Sequence, residues 1–333
     1  MLIDSSGRTL DYLRVSVTDR CNLRCVYCMP PEGIEWKPHN SMLTFEEILR
    51  LCQIMAELGI RKIKVTGGEP LVRRGLALFL KNLKKLPGIK NVTLTTNGLL
   101  LGAYLDEAEK LLPGSFPDSV NISMNALDTD RFKRIVRSGA LNPENIFPWI
   151  DRLAEKNIPV KLNCVPIRSY NEEEIIPLAG LARERNIAVR FIELMPLGCA
   201  AGLDPVTGAE TTAILEQAYG PLSPVSDIHG NGPALYYSLA GFAGKIGFIN
   251  PLSRGFCETC NRLRLGSEGF VKPCLSDDMA FDLRTLLRTG ARDDQLAEVI
   301  MEAAAKKPRF HKFSHIYGAA PAEHSEGMSR IGG

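Results

Sequence analysis

At 333 residues the chain is long enough for one large domain or two ordinary ones, and 45% apolar with 23% charged residues is the make-up of a soluble protein with a sizeable core. A net charge of +2 excludes a general polyanion-binding surface, so any basic patch must be local. No apolar run approaches the ~18 residues that cross a bilayer, Met1 to Leu10 has no apolar signal region, and nine cysteines include two clustered trios; we expect a cytoplasmic protein.

From Tyr12 to about Glu193, short β-rich runs alternate with helical periodicity, the pattern of βα units around a parallel sheet. The expected strands are Leu13–Val17, Ile63–Thr66, Val92–Thr95, Ser119–Ser123, Val160–Val165 and Val189–Ile192, short and mostly apolar as buried parallel strands are. Thr44 and Glu47 form a capping box opening a helix over Phe45–Leu58, with Cys52 on its core stripe. Further helices are expected at Arg74–Leu86, Tyr104–Leu112, Thr129–Val136, Ile146–Lys156 and Glu172–Arg185. Six units are fewer than the eight of a closed barrel, so the fold class is α/β, an incomplete TIM-like (β/α)6 barrel. Residues 198–232 are Gly- and Pro-rich and read as a linker with one helix at Glu210–Tyr219, which divides the chain into 1–232 and 233–333. The second part, an α+β extension, opens with a β pair at Leu235–Leu239 and Gly244–Ile249 and has a helix at Leu296–Lys306.

In such folds functional groups gather at the C-terminal ends of the strands. Cys21, Cys25 and Cys28 follow the first strand, Thr66-Gly67-Gly68-Glu69-Pro70 the second, Thr95-Thr96-Asn97-Gly98 the third, and Ser123, Asn163 and Glu193–Met195 mark the others. Three thiolates at CxxxCxxC spacing can hold three irons of a [4Fe-4S] cube and leave the fourth iron open. A structural zinc site or redox loop is the alternative, but zinc sites usually close with four ligands and the nearest further donor is His39. The paired glycines let backbone groups approach a ligand closely, and no Lys-Ser/Thr follows them as a P-loop requires. Cys257, Cys260 and Cys274 form the second trio, with a zinc ribbon as its bland reading and Cys199, His311 or His315 as conceivable fourth ligands. Arg262 and Arg264 follow on one side of an extended segment, which favours a second iron–sulfur site facing an anionic, hydrogen-bonding substrate such as a nucleotide.

The cysteine loop, with an aromatic residue between its last two cysteines, resembles the signature of the radical S-adenosylmethionine (radical SAM) superfamily. Taken with Leu13–Arg20, Thr66–Pro70, Thr95–Gly98, Arg190–Gly198, Cys257–Arg264 and the terminal Gly332-Gly333, the chain resembles the MoaA family of GTP 3′,8-cyclases over nearly its whole length. That resemblance implies a radical SAM barrel with two [4Fe-4S] clusters, S-adenosylmethionine as cosubstrate and GTP as substrate, in the first step of molybdenum cofactor biosynthesis. It implies that Cys21, Cys25 and Cys28 hold the first cluster, that Tyr27, Gly68, Ser123 and Met195 contact S-adenosylmethionine, and that Cys257, Cys260 and Cys274 hold the auxiliary cluster. Arg14, Lys64, Thr95, Lys161, Arg190, Arg262 and Arg264 fall on its GTP-binding positions, and Gly332 and Gly333 are expected to enter the active site. Lys64 stands where the family pattern has arginine, and the loop around Cys199 also departs from it. The implied partners are a low-potential electron donor of flavodoxin or ferredoxin type and a cyclic pyranopterin monophosphate synthase that takes the product; a homodimer is an allowed assembly, and neither nucleic acid nor membrane is expected. The competing readings are a peptide-modifying radical SAM maturase and a zinc-ribbon nucleic-acid-binding protein.

Overall fold

Alternation along each strand decides which face meets the helices, and the first half of the chain repeats that choice six times. The computed structural model describes residues 1–111, 114–138, 142–226 and 232–313. Strands β1 (Tyr12–Ser16), β2 (Lys62–Thr66), β3 (Asn91–Thr96), β4 (Ser119–Ser123), β5 (Val160–Cys164) and β6 (Ala188–Ile192) pair in sequence order, all parallel. Between them run α1 (Phe45–Leu58), α2 (Leu76–Leu83), α3 (Leu101–Lys110), α4 (Thr129–Val136), α5 (Phe147–Glu155) and α6 (Ile175–Glu184). Leu13 and Val15, Ile63 and Val65, Val92 and Leu94, Val120 and Ile122, and Val189 and Phe191 point outward into this helical layer and are buried. Burial of such side chains contributes roughly 1.5–3 kcal/mol each, and this outer layer is the main core.

The Thr44 capping box is present: the Thr44 hydroxyl accepts from the Glu47 amide at 3.1 Å and the Glu47 carboxylate accepts from the Thr44 amide at 2.7 Å. Cys52 lies in the core as expected. Two helices begin later than their periodicity suggests. α2 starts at Leu76 because Gly75 takes a left-handed φ of 79° ahead of it, and Glu172–Glu174 form a separate 3-10 turn before α6.

The remaining elements are α7 (Gly208–Tyr219), β7 (Ser223–Pro224), β8 (Leu235–Ser238), β9 (Lys245–Ile249), β10 (Arg262–Leu265), β11 (Phe270–Lys272), β12 (Phe281–Asp282), α8 (Leu283–Arg288) and α9 (Asp293–Ala305). They extend the barrel at both edges, giving the sheet order β12-β11-β10-β1-β2-β3-β4-β5-β6-β9-β8-β7. β9 runs parallel to β6 and β10 parallel to β1. The barrel is therefore open between β9 and β10, and the chain from Asn250 to Asn261 must travel from the C-terminal end of one to the N-terminal end of the other. Glu193 fixes the upper end of that crossing by accepting the amides of Leu252 and Ser253 at 2.8 and 3.0 Å. Among the described residues no helix is long and apolar enough to cross a membrane.

Candidate active site

The inward positions of the strands are polar almost throughout. Tyr12 and Arg14 on β1, Lys64 on β2, Thr95 on β3, Asn121 and Ser123 on β4, Lys161 and Asn163 on β5, Arg190 on β6, and Arg262 and Arg264 on β10 follow from the same alternation that sends the apolar residues outward. A closed barrel of this type packs branched apolar side chains in its interior. Here the interior is a ligand cavity with cysteines at both ends.

The first trio lies above the C-terminal end of β1. The amides of Cys28 and Met29 both turn back to the Cys25 carbonyl, at 2.9 and 3.0 Å, while the Arg24 and Val26 amides bond to Val136 and Ile135 at the end of α4. Leu23 and Val26 pack with Phe132, Ile135, Ile167 and Leu194 in a small apolar core that also touches Cys21, Cys25 and Tyr27. Burial pushes the Cys21 thiol up to about 11 and the Cys25 thiol up to about 12. The Gly67-Gly68 turn docks on this loop: Gly68 N–H donates to the Thr18 carbonyl at 2.7 Å, and Glu69 N–H to that of Arg20 at 2.8 Å. A Cβ on Gly68 would come within 2.4 Å of the Arg20 carbonyl oxygen. The two glycines thus permit a close approach to the protein's own cysteine loop, and both also line the cavity. Glu69 is buried, accepts from the Leu71 amide, the Thr96 hydroxyl and the Asn97 amide at 3.0, 2.7 and 2.7 Å, and is pushed up to about 7 by that burial. Asn97 continues the brace to Asn22 at 2.8 Å, so the turns after β1, β2 and β3 form one unit.

The second trio departs from the rule that function sits at the C-terminal ends. Cys257 and Cys260 precede β10, which is parallel to β1, and Cys274 follows β11, which is antiparallel to β10. All three therefore lie at the N-terminal end of the barrel, opposite the first trio. The five-residue β1 separates the two ends, about 15 Å at ~3.3 Å per residue. The surroundings differ as well. Arg262 stacks on Phe256 at 4.7 Å and points Nη2 at the Cys260 sulfur, 3.6 Å away, while Lys307, 3% exposed, donates to the Arg262 and Pro273 carbonyls at 2.8 and 2.6 Å. Burial alone would raise the Cys260 thiol, but the nearby Arg262 and Lys307 outweigh it and bring it down to about 7.

Between the two ends lie the cations. Burial lowers Lys64 well below an ordinary lysine, with Arg14, Arg190, Lys161 and Arg262 repelling its charge, and it lowers Arg14 to about 10 and Lys161 to about 8. Lys64 sits over the Tyr12 ring at 6.0 Å. Among the described residues Lys64, Lys161, Arg190 and Arg262 have no carboxylate partner, an arrangement that is costly on its own and suits an anionic ligand.

All six trio cysteines, Tyr27, Gly68, Ser123 and Met195, and Arg14, Lys64, Thr95, Arg190, Arg262 and Arg264 line this one cavity. Lys161 does not line it and acts from behind through its charge. Gly332, Gly333 and His315 lie outside the described residues. Cys199 sits on the 3-10 turn Gly198–Gly202 near Arg137 and Glu32 and does not join the second trio, and the His311 imidazole is hydrogen-bonded to the Pro251 carbonyl at 2.9 Å. Among the described residues no three Cys, His, Asp or Glu side chains converge on one point as a single metal ion needs. Each thiolate of a trio meets a different iron in a cube, so the donor set fits that group without such convergence. Sequence reasoning missed Tyr12, Asn121, Asn125 and Lys307. Tyr12 was within reach, since it shares the Arg14 face of β1; Asn125, which donates to the Tyr27 hydroxyl at 3.0 Å, and Lys307, at a helix end, carry no local signal.

Comparisons with known proteins agree with this geometry. The model of the radical SAM superfamily matches residues 15–182 and that described as Molybdenum Cofactor Synthesis C matches residues 187–313. The GTP 3′,8-cyclase of Clostridium perfringens (strain 13) is 43% identical over 310 residues, covering 93% of this chain and 94% of that protein. That of Heliobacterium modesticaldum is 43% identical over 336 residues and covers both chains completely, 100% of each. Among solved structures, Streptococcus suis SuiB bound to S-adenosylmethionine superposes with a TM-score of 0.57 at 14% identity, over 93% of this chain and 78% of that one, a likeness of fold. With two family models in tandem and relatives above 40% identity end to end, the chain belongs to the MoaA family of radical SAM GTP 3′,8-cyclases.

Proposed function

We propose that this protein converts GTP to 3′,8-cyclo-7,8-dihydroguanosine 5′-triphosphate, the first step of molybdenum cofactor biosynthesis, as the names of its relatives indicate for them. The observation that carries this reading is the placement of half-buried and buried cations, without carboxylate partners among the described residues, between two cysteine trios at opposite ends of one lumen. Cys21, Cys25 and Cys28 would hold one [4Fe-4S] cluster and Cys257, Cys260 and Cys274 the other. When bound, these clusters and S-adenosylmethionine supply the electron and the hydrogen-abstracting radical.

The chain itself binds, orients and excludes water. Tyr27, Gly68, Ser123 and Met195 are assigned to S-adenosylmethionine at the upper end, where the apolar core under the cysteine loop keeps water from the reacting atoms. Arg14, Lys64, Arg190 and Arg264 clamp the triphosphate, Lys161 adds its charge from behind the lining, Thr95 adds a hydroxyl, and Arg262 orients the base beside the second trio. Held in this way the ribose and the base meet in one orientation, which alone can contribute ~7–11 kcal/mol toward the barrier. The reading includes the Gly332-Gly333 tail entering the site, a flavodoxin- or ferredoxin-type donor, hand-off to a cyclic pyranopterin monophosphate synthase, and a homodimer as the assembly to examine.

Anaerobically reconstituted protein should carry roughly eight irons per chain. With S-adenosylmethionine, reductant and GTP it should form an isomer of GTP, equal in mass but separable by chromatography, in step with 5′-deoxyadenosine. Four or fewer irons, or 5′-deoxyadenosine without the isomer, would refute the reading.

A further inference from the structure

The guanidinium of Arg190 is gripped by two amide oxygens. Its Nε donates to Oδ1 of Asn163 on β5 at 2.9 Å, and its Nη2 donates to Oδ1 of Asn121 on β4 at 2.8 Å. A guanidinium has only donors, so the amide atoms facing it are the oxygens, and Asn121 is left with its Nδ2 toward the Thr95 hydroxyl at 3.2 Å. Asn121 is 1% exposed and lies behind the cavity wall, whereas Arg190 and Asn163 line the cavity. On the other flank the register places Gly247 of β9 beside Arg190, where a Cβ would come within 2.8 Å of the arginine Cγ. Three neighbouring strands thus shape one side chain.

The charge of the grip matters as much as its geometry. Some half-buried arginines of this chain are held by carboxylates, Arg8 by Asp4, Arg131 by Glu174, and Arg152 by Asp106 and Glu109, and others, such as Arg61 and Arg73, by backbone carbonyls. Arg190 is held by two side-chain amides, each of which differs from a carboxylate by one atom. A carboxylate in the place of either amide would give the same geometry and cancel the positive charge. The amides give the geometry and leave the charge whole, in the very region where, among the described residues, Lys64 and Lys161 also have no carboxylate partner.

We infer that Asn121 and Asn163 are positioning residues that aim Arg190 at the phosphates of the nucleotide, and that their neutrality sets the preference of the site for a highly charged ligand. This rests on the lumen being the nucleotide site proposed above.

Asn121→Asp is the test, because it changes charge at constant shape. The Thr95 hydroxyl, an acceptor from the amide, can rotate and donate to the new carboxylate, so no buried polar group loses its partner. Binding is measured on the cluster-loaded enzyme with GTP, GDP, guanosine and inorganic tripolyphosphate. Asn121→Asp should weaken GTP and tripolyphosphate on the order of tenfold to a hundredfold, the effect of one charge in a partly screened site, with a smaller loss for GDP and none for guanosine. Asn121→Ala, which removes the grip without adding charge, should lose less than Asn121→Asp, and Asn163→Asp should reproduce the graded losses. Equal losses for GTP and guanosine, or an aspartate no worse than the alanine, overturn the inference. If one aspartate variant fails to take up its clusters, the other carries the comparison. A wild-type enzyme that binds tripolyphosphate but not GTP refutes the cyclase reading and leaves the inference to be decided by tripolyphosphate; one that binds neither refutes both.

Discussion

Removing a substrate cation should make the nucleotide-free protein more stable, and Lys161 is the place to measure it. Burial first, and Arg190 second, bring its ammonium from the ordinary 10.5 to about 8. At ~1.4 kcal/mol per pH unit that drop corresponds to about 3 kcal/mol, and the solvent reaching part of the side chain reduces it to roughly 1–2 kcal/mol. The sign follows from linkage: below pH 8 the folded chain carries the charge at a cost that the unfolded chain does not bear, and above 10.5 neither state is charged. Lys161→Met should therefore raise the thermal midpoint at pH 7, by roughly 1–3 °C, with the gain shrinking as the pH rises from 8 toward 10.5. GTP should reverse the advantage. At a hundred times its dissociation constant it stabilises the wild type by ~2.7 kcal/mol, and a variant that binds tenfold more weakly gains ~1.4 kcal/mol less, so the two midpoints should converge. The assay is thermal unfolding of the cluster-loaded proteins at matched scan rate, with and without GTP, across that pH range. A lower midpoint for the variant at pH 7 without nucleotide, or a difference that does not change with pH, would refute the account of Lys161 as a desolvated cation awaiting an anion.

Cys25→Ala should abolish S-adenosylmethionine cleavage and reduce iron to about half while the second trio keeps its share; wild-type 5′-deoxyadenosine formation would sink the assignment. Gly68→Ala forces a methyl group against the Arg20 carbonyl oxygen, at 2.4 Å, at a cost of ~1–3 kcal/mol, and should impair the first cluster selectively, which iron content in a Cys257→Ala background would show. Arg264→Ala should keep both clusters and S-adenosylmethionine cleavage yet lose most cyclic product, whereas Arg262→Ala, which also removes a donor 3.6 Å from the Cys260 sulfur, should in addition shift the paramagnetic signature of the second cluster. Lys64→Arg should preserve or tighten GTP binding, since a guanidinium offers a two-donor fork and holds its proton more firmly than a lysine whose pKa burial lowers, and Lys64→Ala should weaken it; equal affinities would place residue 64 outside the site.

What local pattern encodes was legible before the structure. The six parallel strands follow from short apolar runs, and the Thr44–Glu47 capping box marks its helix to the residue. Spacing picks out the two cysteine trios, and the structure brings both to one cavity. Pairings between distant segments were not legible: nothing near Arg264 announces that it will lie beside Arg14 on a parallel strand, 250 residues earlier in the chain. That one pairing moves the second trio to the N-terminal end of the barrel, against the usual rule. Asn121 illustrates a second limit. In a strand it reads as an ordinary polar position, and its grip on Arg190 exists only because β4, β5 and β6 align in register.

The pairing of β10 with β1 also has an electrostatic consequence. It sets Arg264 directly beside Arg14, with Lys64 beside Arg14 on the opposite flank, although like charges on adjacent strands oppose sheet formation. The apolar residues alternating with them resolve the conflict: Leu13, Val15, Leu263 and Leu265 are fully buried on the other face, and burying four such side chains contributes on the order of 6–12 kcal/mol. Each strand thus uses its outer face to hold an inner face that repels itself. The repulsion cannot relax, because turning any of these side chains outward would shift its strand by one residue and expose the leucines and valines. A triphosphate entering the lumen meets cations whose mutual repulsion is already offset by the core. Its binding energy can go into orienting the ribose between the two trios instead of into gathering the charges.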